Sequence, residues 1–73
     1  MSGRVTVFVN ERPVEVDAGS TVLAAVRAFD ARLAEALNGG GAYVTDGVGR
    51  RIDPASPLSG GSIVRVVGAP GAA

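Results

Sequence analysis

Cysteine, histidine, lysine and tryptophan are all absent from this 73-residue chain, and aromatic residues make up only 4% of it. Without cysteine there is no disulfide framework and no thiolate metal site. Without histidine, cysteine or lysine, the common nucleophile and base pairs of enzymes cannot be assembled, which argues against autonomous catalysis. Arginine supplies all seven basic residues; whatever compositional bias lies behind that, no side-chain amine exists on which the chain could be acylated. Seven acidic residues bring the formal charge to zero, and no basic run exceeds Arg50-Arg51. A nucleic-acid footprint is therefore poorly supported. No apolar run approaches bilayer length, and the N-terminus lacks the apolar core of a signal peptide. The expectation is a soluble, cytoplasmic protein with neither nucleic acid nor membrane as partner.

What is present is short and rich in valine and alanine. A length of 73 residues allows one domain, near the lower limit for folding on a single core. Its 47% hydrophobic content predicts a core of β-branched residues with a few Leu, Ile and Phe. Residues 4–10 alternate, with Val5, Val7 and Val9 on one face and Thr6 and Phe8 on the other, as in a half-buried strand. Asn10-Glu11-Arg12-Pro13 reads as a turn, and Val14-Glu15-Val16 resumes the alternation, so residues 4–17 predict a β-hairpin.

Ser20 or Thr21 offers a cap for a helix carrying Val22, Leu23, Val26 and Phe29 at helical spacing, with Arg27 on its polar side. Asp30 either caps a second short helix bearing Leu33 and Leu37 or interrupts one longer helix. Asn38-Gly39-Gly40-Gly41 ends the helical region. A phosphate cradle is a poor reading of these glycines, because they follow a helix and no Lys-Ser/Thr comes after them. Residues 42–45 predict a strand with Val44 inward, Asp46-Gly47 a turn, and residues 50–52 a returning strand. Leu58 anchors the next loop, and Ile63, Val64, Val66 and Val67 form a last strand. One helix laid across one face of a mixed α+β sheet of four to five strands follows. The seven carboxylates are scattered among turns and helix, where each reads as a cap, turn or surface charge, and no metal site or catalytic residue is assigned.

Beyond residues 1–67 the chain continues as Gly68-Ala69-Pro70-Gly71-Ala72-Ala73. Such a segment buries too little apolar area to offset its ordering entropy, so residues 68–73 are expected to form a flexible tail. Extended, it reaches on the order of 20 Å.

V-F-V-N at Val7–Asn10, A-G-S-T-V at Ala18–Val22 and L-S-G-G-S-I-V-R-V-V at Leu58–Val67 together resemble the β-grasp, ubiquitin-like sulfur carriers. That family includes the thiamine-pathway sulfur carrier and the small subunit of molybdopterin synthase. The resemblance runs along nearly the whole chain, and the A-G-x-T-V helix start is its most telling piece. It implies a β-grasp fold and a protein whose C-terminal carboxylate is adenylated by a partner activating enzyme. The carrier has no cofactor of its own; ATP and metal are held by that partner. A downstream acceptor enzyme or target protein then receives sulfur or the acyl group.

Carried onto this sequence, the activation site is Ala73 with Ala72 and Gly71. Ala72 and Ala73 stand where the family has Gly-Gly, so the partner's channel is wider, the pair is a substitution, or the end is trimmed. In the β-grasp arrangement the first and last strands are neighbours. Phe8, Ile63, Arg65, Val67 and Gly68 would then form a partner-binding patch, apolar and edged by arginine, with Thr6 and Tyr43 nearby. The alternative is a β-grasp interaction module that uses this patch and has an inert tail.

Overall fold

Alternating valines make the first strand. In a computed structural model, which describes residues 3–68, β1 spans Arg4–Val9 and buries Val7 and Val9 completely, while Thr6 and Phe8 face outward. The turn after it is shorter than the sequence suggests. Asn10 and Glu11 alone form it, both at positive φ (51° and 70°), as a two-residue type I′ hairpin requires. Arg12 and Pro13 already belong to β2 (Arg12–Asp17), where Pro13 stands opposite Phe8. Hairpin geometry makes this possible. The closing pair Val9–Arg12 exchanges hydrogen bonds and the next pair does not, so proline's missing N–H falls on the open side of an edge strand.

Gly19, at φ 84°, turns the chain toward the helices. Thr21 is the cap, accepting from the Ala24 N–H at 3.2 Å. Ser20 instead donates its hydroxyl to the Asp17 carbonyl at 2.6 Å. Helix α1 runs Val22–Phe29 and α2 runs Ala31–Gly39. Asp30 separates them in an extended conformation. Its N–H closes α1 on the Val26 carbonyl, and its carboxylate accepts from the Arg32 N–H to open α2. The helical layer is thus two helices of similar length rather than one main helix. Gly40, left-handed at φ 83°, caps α2.

Strand β3 is Tyr43–Thr45 and β4 is Arg51–Ile52; Ala42 and Arg50 fall just outside them. Asp46 organises the connection by accepting from the Val48 and Arg50 N–H groups through one carboxylate oxygen. The following loop is strapped to α1: Val22 and Leu23 donate to the Ser56 and Pro54 carbonyls, and Leu58 donates to Ser20. Leu58 is buried, as an anchor should be. β5 (Ile63–Val67) then enters the centre of the sheet, parallel to β1 and antiparallel to β3. The order is β2-β1-β5-β3-β4, a five-stranded mixed sheet.

All buried core residues but Leu58 are valine or alanine: Val7, Val9, Val16, Val22, Val26, Val44 and Val64, with Ala25 and Ala34 from the helices. Leu23, Phe29, Leu33 and Leu37 are only half-buried around that cluster. Small helix residues let the helices lie close to the sheet, which pushes the larger side chains to the margin. No helix among the described residues is long and apolar enough to cross a membrane.

Asn10 ties the β1–β2 turn to the central strand β5. Its N–H donates to the Val64 carbonyl, and its side-chain oxygen accepts from the Val66 N–H at 2.9 Å, extending the β1–β5 ladder after the backbone has turned away. Asn10→Ala loses both that acceptor and a residue tolerant of left-handed φ. It is expected to lower stability by about 1–2 kcal/mol in urea titration, with Asn10→Gly losing less.

Candidate functional site

The outward face of the sheet gathers four of the residues singled out in the sequence. Phe8 and Ile63 are register partners across β1 and β5, and Val67 pairs with Tyr43 across β5 and β3. Phe8, Tyr43 and Val67 each keep 37% of their surface exposed, and Ile63 keeps 47%. Arg65 lies between the two apolar pairs, opposite Thr45, which in turn stands opposite Arg51. The face is therefore two apolar pairs flanking an arginine row, and not one apolar patch edged by arginine. Alternation within β5 enforces this, because Ile63, Arg65 and Val67 share one side of a five-residue strand.

Arg51 is the residue that sequence reasoning left out. Its guanidinium sits over the Tyr43 ring, 4.5 Å from the centroid. Alternation with apolar Ile52 hinted at an outward Arg51, but only the Ile52–Val44 register places it beside Tyr43. Arg65 meets a carboxylate, with Nη2 3.6 Å from Glu11 Oε2; both side chains are well exposed, so the pair adds less than about 1 kcal/mol. Phe8, Glu11, Ile63 and Arg65 bound a shallow depression of about 310 Å³. A second open cleft, of about 400 Å³, lies where the Asp46–Val48 turn meets Pro57, Leu58 and Ile63. No sequence signal pointed to it, because its walls combine loop residues with Val22 of α1, Ile52 of β4 and Ile63 of β5.

The edges of the sheet offer little to a partner. On β2, Pro13 lacks an N–H and Arg4 Nη2 covers the Glu15 carbonyl at 2.9 Å. On the other side, β4 has two residues only. Short or blocked edges suppress strand addition, which leaves the face as the accessible surface.

Elsewhere the polar groups serve local structure. Asp17 pairs with Arg4 at 3.3 Å, and Asp53 accepts from the Ala55 N–H at 2.8 Å. Among the described residues, no group of three acidic, histidine or cysteine side chains could hold a metal ion.

Gly68 ends β5 beside the Val67–Tyr43 pair. It is exposed, but its left-handed φ of 77° makes it a turning point rather than a flat contact. Gly71, Ala72 and Ala73 lie outside the described residues. No family model, curated protein or solved structure matches this chain.

Glu11 is the strained member of this site. A non-glycine residue at φ 70° costs roughly 1 kcal/mol, and this one borders the depression beside Phe8. Glu11→Gly creates the favoured Asn-Gly turn and is expected to raise the urea midpoint by up to about 1 kcal/mol of stability. A loss of stability would show that the Glu11–Arg65 pair outweighs the strain.

Proposed function

We propose that this protein is a ubiquitin-like carrier or modifier of the β-grasp type, which docks on a partner activating enzyme through its outer sheet face and presents its C-terminus for adenylation. One observation carries the reading. The first and last strands are parallel neighbours at the centre of the sheet, so the face and the root of the C-terminal segment meet at Val67 and Gly68. The β-grasp assignment draws support from the same pairing and from helices packed on one side of a mixed sheet.

In this reading the Ala73 carboxylate attacks the α-phosphorus of ATP bound by the partner. An acyl–phosphate bond forms, the bond between the α- and β-phosphates breaks, and pyrophosphate leaves. A sulfur or amine nucleophile then attacks the acyl carbon and releases AMP, giving a thiocarboxylate or a conjugate. The chain's own side chains hold no amine or thiol to consume the activated end. ATP-dependent activation also fits a cytoplasmic setting.

The partner surface that fits this face has two apolar contacts, one for Phe8 and Ile63 and one for Val67 and Tyr43. Between them it offers acidic groups to Arg51 and Arg65, and pairs of that kind steer association and fix register.

Intact-mass analysis after incubation with ATP and the adenylating enzymes of the organism that encodes the chain tests the proposal. An adenylate, thiocarboxylate or conjugate at Ala73 is the expected product. Phe8→Ala or Arg65→Glu should raise the KM for activation about tenfold or more, as loss of an interface anchor does. Unmodified protein that still binds a partner after deletion of residues 69–73 would instead establish an interaction module with an inert tail.

A further inference from the structure

The arginines on the outer side of the sheet differ in what holds them. Arg4 lies between Glu15 and Asp17 and donates to the Glu15 carbonyl at 2.9 Å. Arg51 lies over the Tyr43 ring. Arg65 has a more distant companion: its Nη2 is 3.6 Å from Glu11 Oε2, beyond hydrogen-bond length, with both side chains well exposed. Glu11 is also placed where a side chain is unwelcome. At φ 70° it fills the second position of the Asn10-Glu11 turn, which favours glycine. The turn does not ask for a carboxylate and would close better without one. A residue that breaks a local rule in this way points to a use elsewhere.

Glu11 joins Phe8, Ile63 and Arg65 around the depression of about 310 Å³. We propose that this depression binds a carboxylate side chain carried beside an apolar residue on a partner protein, and that Glu11 stands in for that carboxylate in the free chain as an internal competitor. The inference rests on the docking half of the carrier reading, deepens it, and requires no adenylation. Charge complementarity selects the occupant. Arg65 offers paired N–H donors that match a carboxylate, and Phe8 and Ile63 offer an apolar wall beside them. The chain itself sets a carboxylate next to that guanidinium. Because the contact is long and exposed it is weak, so an incoming carboxylate whose neighbour also covers Phe8 and Ile63 displaces it. Glu11 therefore repels acidic groups that bring no apolar contact and yields to those that do, which makes it a specificity-determining residue of the face.

The test is a titration of the full chain with N-acetyl-Phe-Glu-amide, followed by the backbone amide shifts of Phe8, Ile63 and Arg65. Glu11→Gln removes the competing charge and keeps a side chain of the same length on the same turn. It is expected to bind this peptide about two- to fivefold more tightly than the unaltered chain, the range an exposed ion pair supplies. Arg65→Gln should weaken binding, and adding Glu11→Gln to it should give no further gain, because the two residues act on one contact. N-acetyl-Phe-Gln-amide, uncharged but alike in shape, should bind the unaltered chain and Glu11→Gln equally.

Equal affinity of the unaltered chain and Glu11→Gln for the charged peptide overturns the competitor, as does an equal gain with the uncharged one. Absence of any shift at Phe8 and Ile63 in Glu11→Gln overturns the site itself. Should Glu11→Gln fail to fold, Glu11→Gly removes the same carboxylate from a turn that favours glycine and carries the same expectation. Intact-mass analysis of the unaltered chain with ATP and the adenylating enzymes decides the carrier reading separately, so that reading can fail while the depression still takes its carboxylate.

Discussion

Pairing of the first strand with the last is the constraint on which the molecule depends. Phe8 donates to the Ser62 carbonyl, Asn10 to Val64, and Gly61 to Thr6, so β1 and β5 interlock from residues more than fifty positions apart. Parallel strands of this kind are slow to find each other and must be specified well. Here the specification is the valine pattern on both strands. A slip of one residue would turn Val7, Val9 and Val64 to solvent and bring Phe8 and Ile63 under the helices. Asn10 extends the same seam with its side chain, so the hairpin turn and the central ladder are fixed together.

A second constraint is size. So short a chain encloses little volume, and apart from Leu58 its buried cluster is built of valine and alanine. Two short helices meeting at Asp30 pack against each other, and that one residue caps both. Leu23, Phe29, Leu33 and Leu37 line the margin of this thin core. Phe8, Tyr43 and Ile63 stand on the outer face, where each stays exposed.

The proposed docking role starts from that placement. The polar residues of the body go into caps, turns and exposed ion pairs, while the blocked β2 edge and the two-residue β4 discourage strand addition. What the fold leaves accessible is a face of two apolar pairs about an arginine row, and a strand end that turns away at Gly68. It is on these features that the proposed carrier role rests.

Much of this was legible in the sequence, because period-two alternation, caps and glycine stops are local. Val5, Val7 and Val9 announced an inward face, Ser20 or Thr21 a helix start, and Asn38-Gly39-Gly40-Gly41 a stop, while Asp30 read equally as a second cap or an interruption. Parity set Phe8 apart from Val7 and Val9, and Ile63, Arg65 and Val67 apart from Val64 and Val66; joining the two sets on one face took the β-grasp resemblance. Tertiary structure decided the rest. Only the β2-β1-β5-β3-β4 order puts Val67 beside Tyr43, carries Arg51 over that ring, and sets Arg65 between the apolar pairs. Pro13 looked like a turn residue because proline breaks ladders in general, and only its place on the open side of an edge strand admits it. At Gly68 the sequence gives no more than a small residue after a strand. An added β-carbon there would lie 3.3 Å from the Gly41 carbonyl oxygen, a closeness that comes from the β3–β5 pairing and that no local pattern encodes.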